Sequence, residues 1–102
     1  MSGYKLTASA TTDLREIIAY LAEHAGEDTT LRIEDEFFAK FESLAAYPGQ
    51  GHSRADLTPL PLHFFTLDPY LIVYQRDRSP IVIHAIFHGA RDVKRHLKHR
   101  SV

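Results

Sequence analysis

Two side chains near the C-terminus, His88 and Arg91, have the types and spacing of a catalytic pair. They lie in the segment His88-Gly89-Ala90-Arg91-Asp92, directly after a run of apolar residues. In metal-free RNA cleavage a general base removes the 2′-hydroxyl proton, and an arginine stabilises the charge that accumulates on the phosphate. The alternative is structural, with both side chains fixing a strand-to-helix corner by hydrogen bonds. The residues alone leave both interpretations open.

The seven histidines raise the question of a metal site. His84 and His88 are four residues apart in a segment with strand character, so roughly 13 Å of chain separates them. Two nitrogens that bind one zinc ion each lie about 2.0–2.1 Å from it. His84 and His88 are therefore too far apart on a strand to bind the same ion. His96 and His99 are spaced for one helix face, but the sequence offers no third ligand. With no cysteine and no glycine-rich phosphate loop, the sequence predicts neither a metal site nor a cofactor.

Length and composition predict a single domain that spans residues 1–102. With 102 residues and 44% hydrophobic side chains, the chain can bury one core without metals or disulfides. No apolar run approaches the roughly 18 residues of a membrane span, and the first residues lack the apolar centre of a signal peptide. We therefore expect a cytoplasmic protein that has no membrane partner.

Charge is divided unevenly along the chain. Residues 1–51 carry four basic and nine acidic residues, whereas residues 52–102 carry eight basic and four acidic ones. Such an asymmetry indicates either that one end of the molecule meets an acidic partner or that a basic helix is simply solvated. The sequence pI of about 6.6 argues against general RNA binding, and we expect no direct, sequence-specific nucleic-acid binding.

Hydrophobic periodicity predicts the order β-α-α-β-β-β-α, an α+β fold. Two amphipathic helices, over about residues 11–24 and 29–46, are joined by a short loop and form a helical hairpin. Short turns make the later strands an antiparallel meander, and the hairpin packs on this small antiparallel sheet. The predicted strands cover residues 4–8, 62–67, 70–76 and 81–88, and a short last helix covers 89–99.

Both helices carry apolar stripes at helical spacing. The stripes consist of Leu14, Ile17, Ile18 and Leu21 on the first helix and of Ile33, Phe37, Phe41 and Leu44 on the second. Phe38 lies beside the second stripe, where it is either part of the core or part of an apolar groove for a partner. Tyr70 and Tyr74 share a strand face, with Arg76 in line, and form either core or a base-stacking surface.

Several short segments of the sequence, taken in order, are similar to segments of a known protein family. They are Tyr4-Lys5-Leu6; Ala10 with Asp13-Leu14-Arg15-Glu16-Ile17 and Tyr20-Leu21; Leu44-Ala45 with Pro48 and Gly51; Tyr70-Leu71-Ile72-Val73-Tyr74-Gln75-Arg76; and His88-Gly89-Ala90-Arg91-Asp92. In order and residue type they resemble the ParE branch of the RelE/ParE toxin superfamily. The likeness extends over essentially the whole chain, and the strand followed by His-Gly-x-Arg-Asp is its most specific part.

The resemblance implies the toxin of a type II toxin–antitoxin pair, neutralised by a ParD-like antitoxin whose tail folds as it binds. ParE-like members poison DNA gyrase, whereas RelE-like members cut messenger RNA on the ribosome. The cutting relatives carry clustered lysines or arginines on the sheet and, in many, a tyrosine near the C-terminus. This chain has no aromatic residue after Phe87 and no lysine between Lys40 and Lys94. A gyrase-binding toxin without catalytic residues is therefore favoured, and an endoribonuclease that uses His88 and Arg91 is the alternative.

The binding residues are predicted on two surfaces. The target-binding residues, on the basic last helix, are Arg91, Lys94, Arg95 and Lys98. Phe38 and Arg76 are predicted to contact the antitoxin, because an acidic, amphipathic tail needs both an apolar hollow and a positive charge.

Overall fold

The structure is a computed structural model, and it describes residues 3–89 and 93–98. Two long helices precede most of the strands, and a short helix follows them. In chain order the elements are β1 (Tyr4–Leu6), α1 (Ala8–His24), α2 (Glu27–Ala46), a 3-10 turn (Pro48–Gln50), β2 (His52–Ser53), β3 (His63–Leu67), β4 (Tyr70–Gln75), β5 (Ile81–His88) and α3 (Val93–Lys98).

The described strands form one mixed sheet in the order β1-β5-β4-β3-β2. Strands β2 to β5 pair in antiparallel fashion, as predicted for the meander. β1 differs from the expected antiparallel sheet, because it runs parallel to β5, with Tyr4 opposite Ile81 and Leu6 opposite Ile83. Parallel neighbours need a long crossover connection, which the hairpin and the intervening strands supply. The predicted α+β class and the hairpin packed on the sheet are confirmed.

The ends of the two long helices are set by specific caps. α1 begins at Ala8, earlier than the predicted residue 11, because the hydroxyl of Thr7 accepts a hydrogen bond from the N–H of Ala10 at 3.1 Å. Between the helices Gly26 adopts φ +86°, and its backbone carbonyl accepts a hydrogen bond from the hydroxyl of Thr30 at 2.6 Å. The corner is therefore tight, and α2 turns directly back along α1.

A hydrophobic core fills the space between the hairpin and the sheet. Its buried members are Ala10, Leu14, Phe37, Phe41, Leu44, Tyr70, Ile72, Tyr74, Ile81, Ile83 and Ile86. None of the predicted stripe residues is exposed, so the predicted orientation of both helices is confirmed. Each fully buried large apolar side chain stabilises the fold by about 1.5–3 kcal/mol relative to exposure.

A second core lies on the opposite face of the sheet, where α3 packs. Its buried members are Leu62, Phe64, Leu71, Val73, Ala85, Phe87, Val93 and Leu97. Strands covered on both faces carry nearly continuous apolar runs, which accounts for the compositions of β4 and β5. The sheet is thus the middle of three layers. None of the described helices is long and apolar enough to cross a membrane.

A β-bulge interrupts the pairing of the two central strands. Val73 lies opposite Ala85, whereas the next residue, Tyr74, lies opposite Ile83, so His84 is the extra residue. The extra residue of such a bulge shifts by one position the alternation of side chains between the two faces of the sheet. As a result Ala85 belongs to the core under α3, and Ile83 belongs to the core under the hairpin.

Candidate binding surfaces

The first predicted site residue, His88, is the last residue of β5, and its side chain is exposed. Its ring meets the ring of Tyr70 edge-on, with 5.4 Å between the centroids. The turn that follows is held by the backbone, because the N–H of Gly89 donates to the carbonyl of Pro69 at 2.6 Å. Arg91 lies outside the described residues, so the pairing of His88 with Arg91 stays a prediction.

The predicted target-binding helix is anchored to the sheet by its apolar side. Val93 and Leu97 of α3 are buried in the second core. His96 is exposed and stacks on Phe87, with 5.6 Å between the ring centroids. Arg91 and the side chains of Lys94, Arg95 and Lys98 lie outside what the structure describes, so their role stays a prediction.

The predicted antitoxin-binding residues are both accessible. Phe38 on α2 is 40% exposed and meets the ring of Phe41 edge-on, with 5.9 Å between the centroids. Core packing therefore accounts for only part of the Phe38 side chain. Arg76 directly follows β4 and is exposed. Neither contact with an antitoxin is tested by this geometry, and both remain predictions.

Tyr70 and Tyr74 are buried in the core under the hairpin, so the alternative of a base-stacking surface is wrong. The Tyr74 hydroxyl donates to the carbonyl of Pro48 at 2.5 Å and accepts from the N–H of Gly51 at 2.9 Å. A Cβ at Gly51 would collide with that hydroxyl, which explains the glycine there. Burial also raises the pKa of the Tyr74 phenol. The residue ties the loop after α2 to the sheet.

A cleft of about 450 Å³, which sequence reasoning missed, opens between α1 and the C-terminal half of β5. We call it the α1–β5 cleft. Its lining residues are Asp13, Glu16, Ile17, Tyr20, Tyr70, Ile86, Phe87 and His88. The four residues from α1 are spaced three or four apart, which places them on one face of the helix. That spacing is a signal in the sequence, but it does not reveal that β5 ends opposite this face.

Asp13 closes the edge of the sheet beside this cleft. β1 covers β5 only at the positions from Ile81 to Ile83. Further along, the backbone N–H of Ile86 faces α1 and donates to the Asp13 carboxylate at 2.9 Å. The carboxylate takes the place of a strand neighbour, since a backbone N–H that leaves water needs an acceptor. Asp13, on α1, thus bonds a residue 73 positions away in the sequence.

A second cleft, of about 380 Å³, lies at the opposite end of β5. Its polar lining consists of Lys5, Thr7, Gln75, Arg78 and His84. His84 is only 7% exposed, and its Nε2 lies 3.0 Å from Oε1 of Gln75. Burial lowers the pKa of His84, and the positive charge of Arg78 lowers it further. Both effects favour the neutral form of the His84 ring.

Within residues 3–89 and 93–98, no group of three histidine or acidic side chains is placed to hold a metal ion. His84 and His88 lie in strand β5, as the sequence indicated.

Comparison with known proteins decides the family. Residues 4–93 match the family described as "ParE toxin of type II toxin-antitoxin system, parDE". The chain belongs to the ParE toxin family. The resemblance inferred from the sequence pieces is thereby confirmed. The match ends at Val93, so Lys94, Arg95 and Lys98 lie beyond the part of the chain that carries it.

A solved structure has the same fold. It is described as "Chromosomal ParDE TA system from P. aeruginosa", and it superposes with a TM-score of 0.73. The alignment covers 88% of this chain and 98% of the other, at 22% sequence identity. The likeness at that identity concerns the fold alone. No sequence match to a curated protein was found.

Proposed function

We propose that this protein is the toxin of a type II toxin–antitoxin pair and that it acts by binding DNA gyrase. In this proposal the whole chain, residues 1–102, is one toxin domain that works in the cytoplasm, where its target is. It carries out no chemistry of its own, and it holds gyrase during the DNA-cleavage cycle. Membership of the ParE toxin family over residues 4–93 supports the proposal.

The observation that carries the choice of binding over catalysis is the composition of the sheet. RNA-cutting relatives carry clustered basic side chains there, whereas here one face is filled by the hairpin core and the other packs under α3. The sheet face under α3 presents Leu62, Phe64, Leu71, Val73, Ala85 and Phe87. Apolar side chains cannot stabilise the charge of a phosphate undergoing cleavage. His88, at the end of β5, lies outside that buried face.

We also propose that a ParD-like antitoxin covers this toxin in the resting complex. The similar solved structure is described as a ParDE TA system, which supports a partner of that kind here. The tail of the antitoxin is expected to be amphipathic, with apolar residues at Phe38 and carboxylates at Arg76 and the basic helix. A segment that folds on binding buries on the order of 1,000–3,000 Å².

The test incubates the purified protein with gyrase and supercoiled DNA, and in parallel with ribosomes that carry messenger RNA. The proposal expects linearised DNA that remains attached to gyrase and no cleavage of the RNA. If the protein is an endoribonuclease instead, the messenger RNA is cut at positions set by its codons and no DNA is trapped on gyrase. Cuts in the RNA with no effect on gyrase would overturn the proposal.

A His88→Ala variant sharpens this test. Loss of a general base lowers a catalytic rate by about 10²–10⁴-fold, whereas binding spread over a surface survives the loss of one exposed imidazole. We expect the variant to trap gyrase nearly as well as the wild type. His52→Ala, at another exposed histidine, is the matched control, and melting curves verify that both variants are folded.

A further inference from the structure

The proposed function assigns no occupant to the α1–β5 cleft. Ile17 and Ile86 contribute apolar side chains to its lining. Tyr70, a buried residue, and Tyr20, which is 62% exposed, place aromatic rings along the cleft. Such a shape suits a side chain with a long apolar stem.

The aromatic rings are held in position by their neighbours. Tyr20 stacks on His24, with 4.2 Å between ring centroids and 21° between the ring planes. Tyr70 packs against Phe37 on one side, at 5.0 Å, and meets His88 edge-on on the other. A ring held in this way, as the exposed Tyr20 ring is, loses little conformational entropy when a ligand contacts it. The faces of aromatic rings attract cations.

The charged lining of the cleft is acidic. Asp13 and Glu16 both line it, and none of the lysines and arginines whose side chains the structure describes does. Asp13 is fixed at the sheet edge by the N–H of Ile86. Glu16 lies one turn further along α1 and is exposed, and it forms no ion pair within the described part of the chain. The rim therefore offers a carboxylate next to aromatic rings.

We propose that the α1–β5 cleft receives a single basic side chain, a lysine or an arginine, from the antitoxin. Its aliphatic stem packs on Ile17 and Ile86, and its cation lies between the Glu16 carboxylate and the Tyr20 ring. The inference rests on the proposed function in one respect, because the antitoxin is the partner that covers the exposed aromatic surface of the stored toxin. In this proposal the antitoxin contributes one basic side chain in addition to the acidic residues expected at its other contacts.

The first experiment uses the isolated full-length protein and three blocked amino acids as probes. N-acetyl-arginine methylamide, N-acetyl-norleucine methylamide and N-acetyl-glutamate methylamide are titrated while backbone amide shifts are recorded by NMR. We expect the arginine probe to shift the amides of Glu16, Tyr20, Ile86 and His88, the norleucine probe to act more weakly and the glutamate probe to have no effect. Equal effects of arginine and norleucine, or no effect of arginine, would overturn the inference.

Variants then assign the contacts. Glu16→Gln should weaken binding of the arginine probe about two- to fivefold, the range typical of an exposed ion pair. Tyr20→Ala should weaken it by a similar factor through loss of the cation–π contact. Glu42→Gln, an exposed glutamate on α2, should leave binding unchanged. If Glu16→Gln binds the probe as well as the wild type does, the proposed cation site is wrong.

The same variants are measured against the antitoxin. The double variant Glu16→Gln/Tyr20→Ala should weaken the toxin–antitoxin complex about tenfold, whereas Glu42→Gln should not. A complex of unchanged affinity contradicts the basic anchor but leaves the proposed function intact, because gyrase trapping is assayed separately. Failure to trap gyrase contradicts the proposed function but not the probe-binding result.

Discussion

His84 is the one buried histidine among the described residues, and its position makes folding sensitive to acid. Burial and the charge of Arg78 lower its pKa from the ordinary value of 6.5. The unfolded chain therefore takes up a proton at a higher pH than the folded protein does. The stability contributed by neutral His84 is present above about pH 6.5 and declines as the pH falls towards the lowered folded-state pKa.

The first prediction is that His84→Gln reduces the loss of stability between pH 7 and the acid range. One proton taken up on unfolding changes the free energy of unfolding by at most about 1.4 kcal/mol per pH unit. Glutamine removes that titration and retains a side chain able to bond Gln75. Urea unfolding at a series of pH values measures the effect. Parallel pH profiles for wild type and variant would contradict the prediction.

Tyr74 provides a second test at the level of a single residue. Tyr74→Phe removes the hydroxyl that bonds Pro48 and Gly51, and it leaves the buried N–H of Gly51 without its acceptor. We expect a loss of about 1–3 kcal/mol in the free energy of unfolding. Tyr47→Phe is the matched control, because that ring is 71% exposed and its change should cost under about 0.5 kcal/mol. Equal costs for the two variants would show that the Tyr74 tether does not contribute to stability.

At the scale of elements, α2 carries a buried and a partly exposed phenylalanine on adjacent turns. Phe41 is fully buried between the hairpin and the sheet, whereas Phe38 is partly exposed beside it. The sequence predicted both apolar stripes, because a helix places every third or fourth residue on one face. It left the role of Phe38 open, since a position at the margin of a stripe is buried or exposed depending on what packs there.

Phe41→Ala should lower the free energy of unfolding by about 3–5 kcal/mol, because it leaves a cavity in the core. Phe38→Ala should cost about 1 kcal/mol, mainly the edge-on contact with Phe41, while it weakens binding of the antitoxin. Chemical denaturation and titration calorimetry measure the two effects. Unchanged antitoxin affinity in Phe38→Ala would remove Phe38 from the predicted interface.

At the scale of the whole molecule, we expect the basic half of the chain to influence how quickly partners associate. Reversing Lys94 and Arg95 to glutamate should slow association with the antitoxin and flatten its dependence on salt. Dissociation should change little, because exposed ion pairs add little affinity each. The same reversal at Arg15 and Arg32, on the hairpin, is the control, and stopped-flow mixing at several salt concentrations is the measurement. An association rate insensitive to Lys94 and Arg95 would exclude them from antitoxin capture.

The family followed from the resemblance of several sequence pieces to ParE toxins. The sequence by itself also determined the helical hairpin, the antiparallel meander and the order of the predicted elements, but the short strand β2 (His52–Ser53) was not among them. These features depend on periodicity, capping residues and short turns, all of which act over a few neighbouring residues. The candidate residues His88 and Phe38 were placed on their elements correctly for the same reason, whereas Arg76, predicted at the end of a strand over residues 70–76, directly follows β4.

Only the tertiary structure decided the parallel pairing of β1, the bulge at His84, the second core and the α1–β5 cleft. Each of these joins residues far apart in the chain, as when Asp13 of α1 bonds Ile86 of β5. Local sequence patterns do not reveal such pairs. The direction and register of distant strands depend on which packing buries the most apolar surface and gives every backbone group a hydrogen-bond partner. The acidic, aromatic cleft exists because β1 ends early and a helix, in place of a strand, borders the rest of β5.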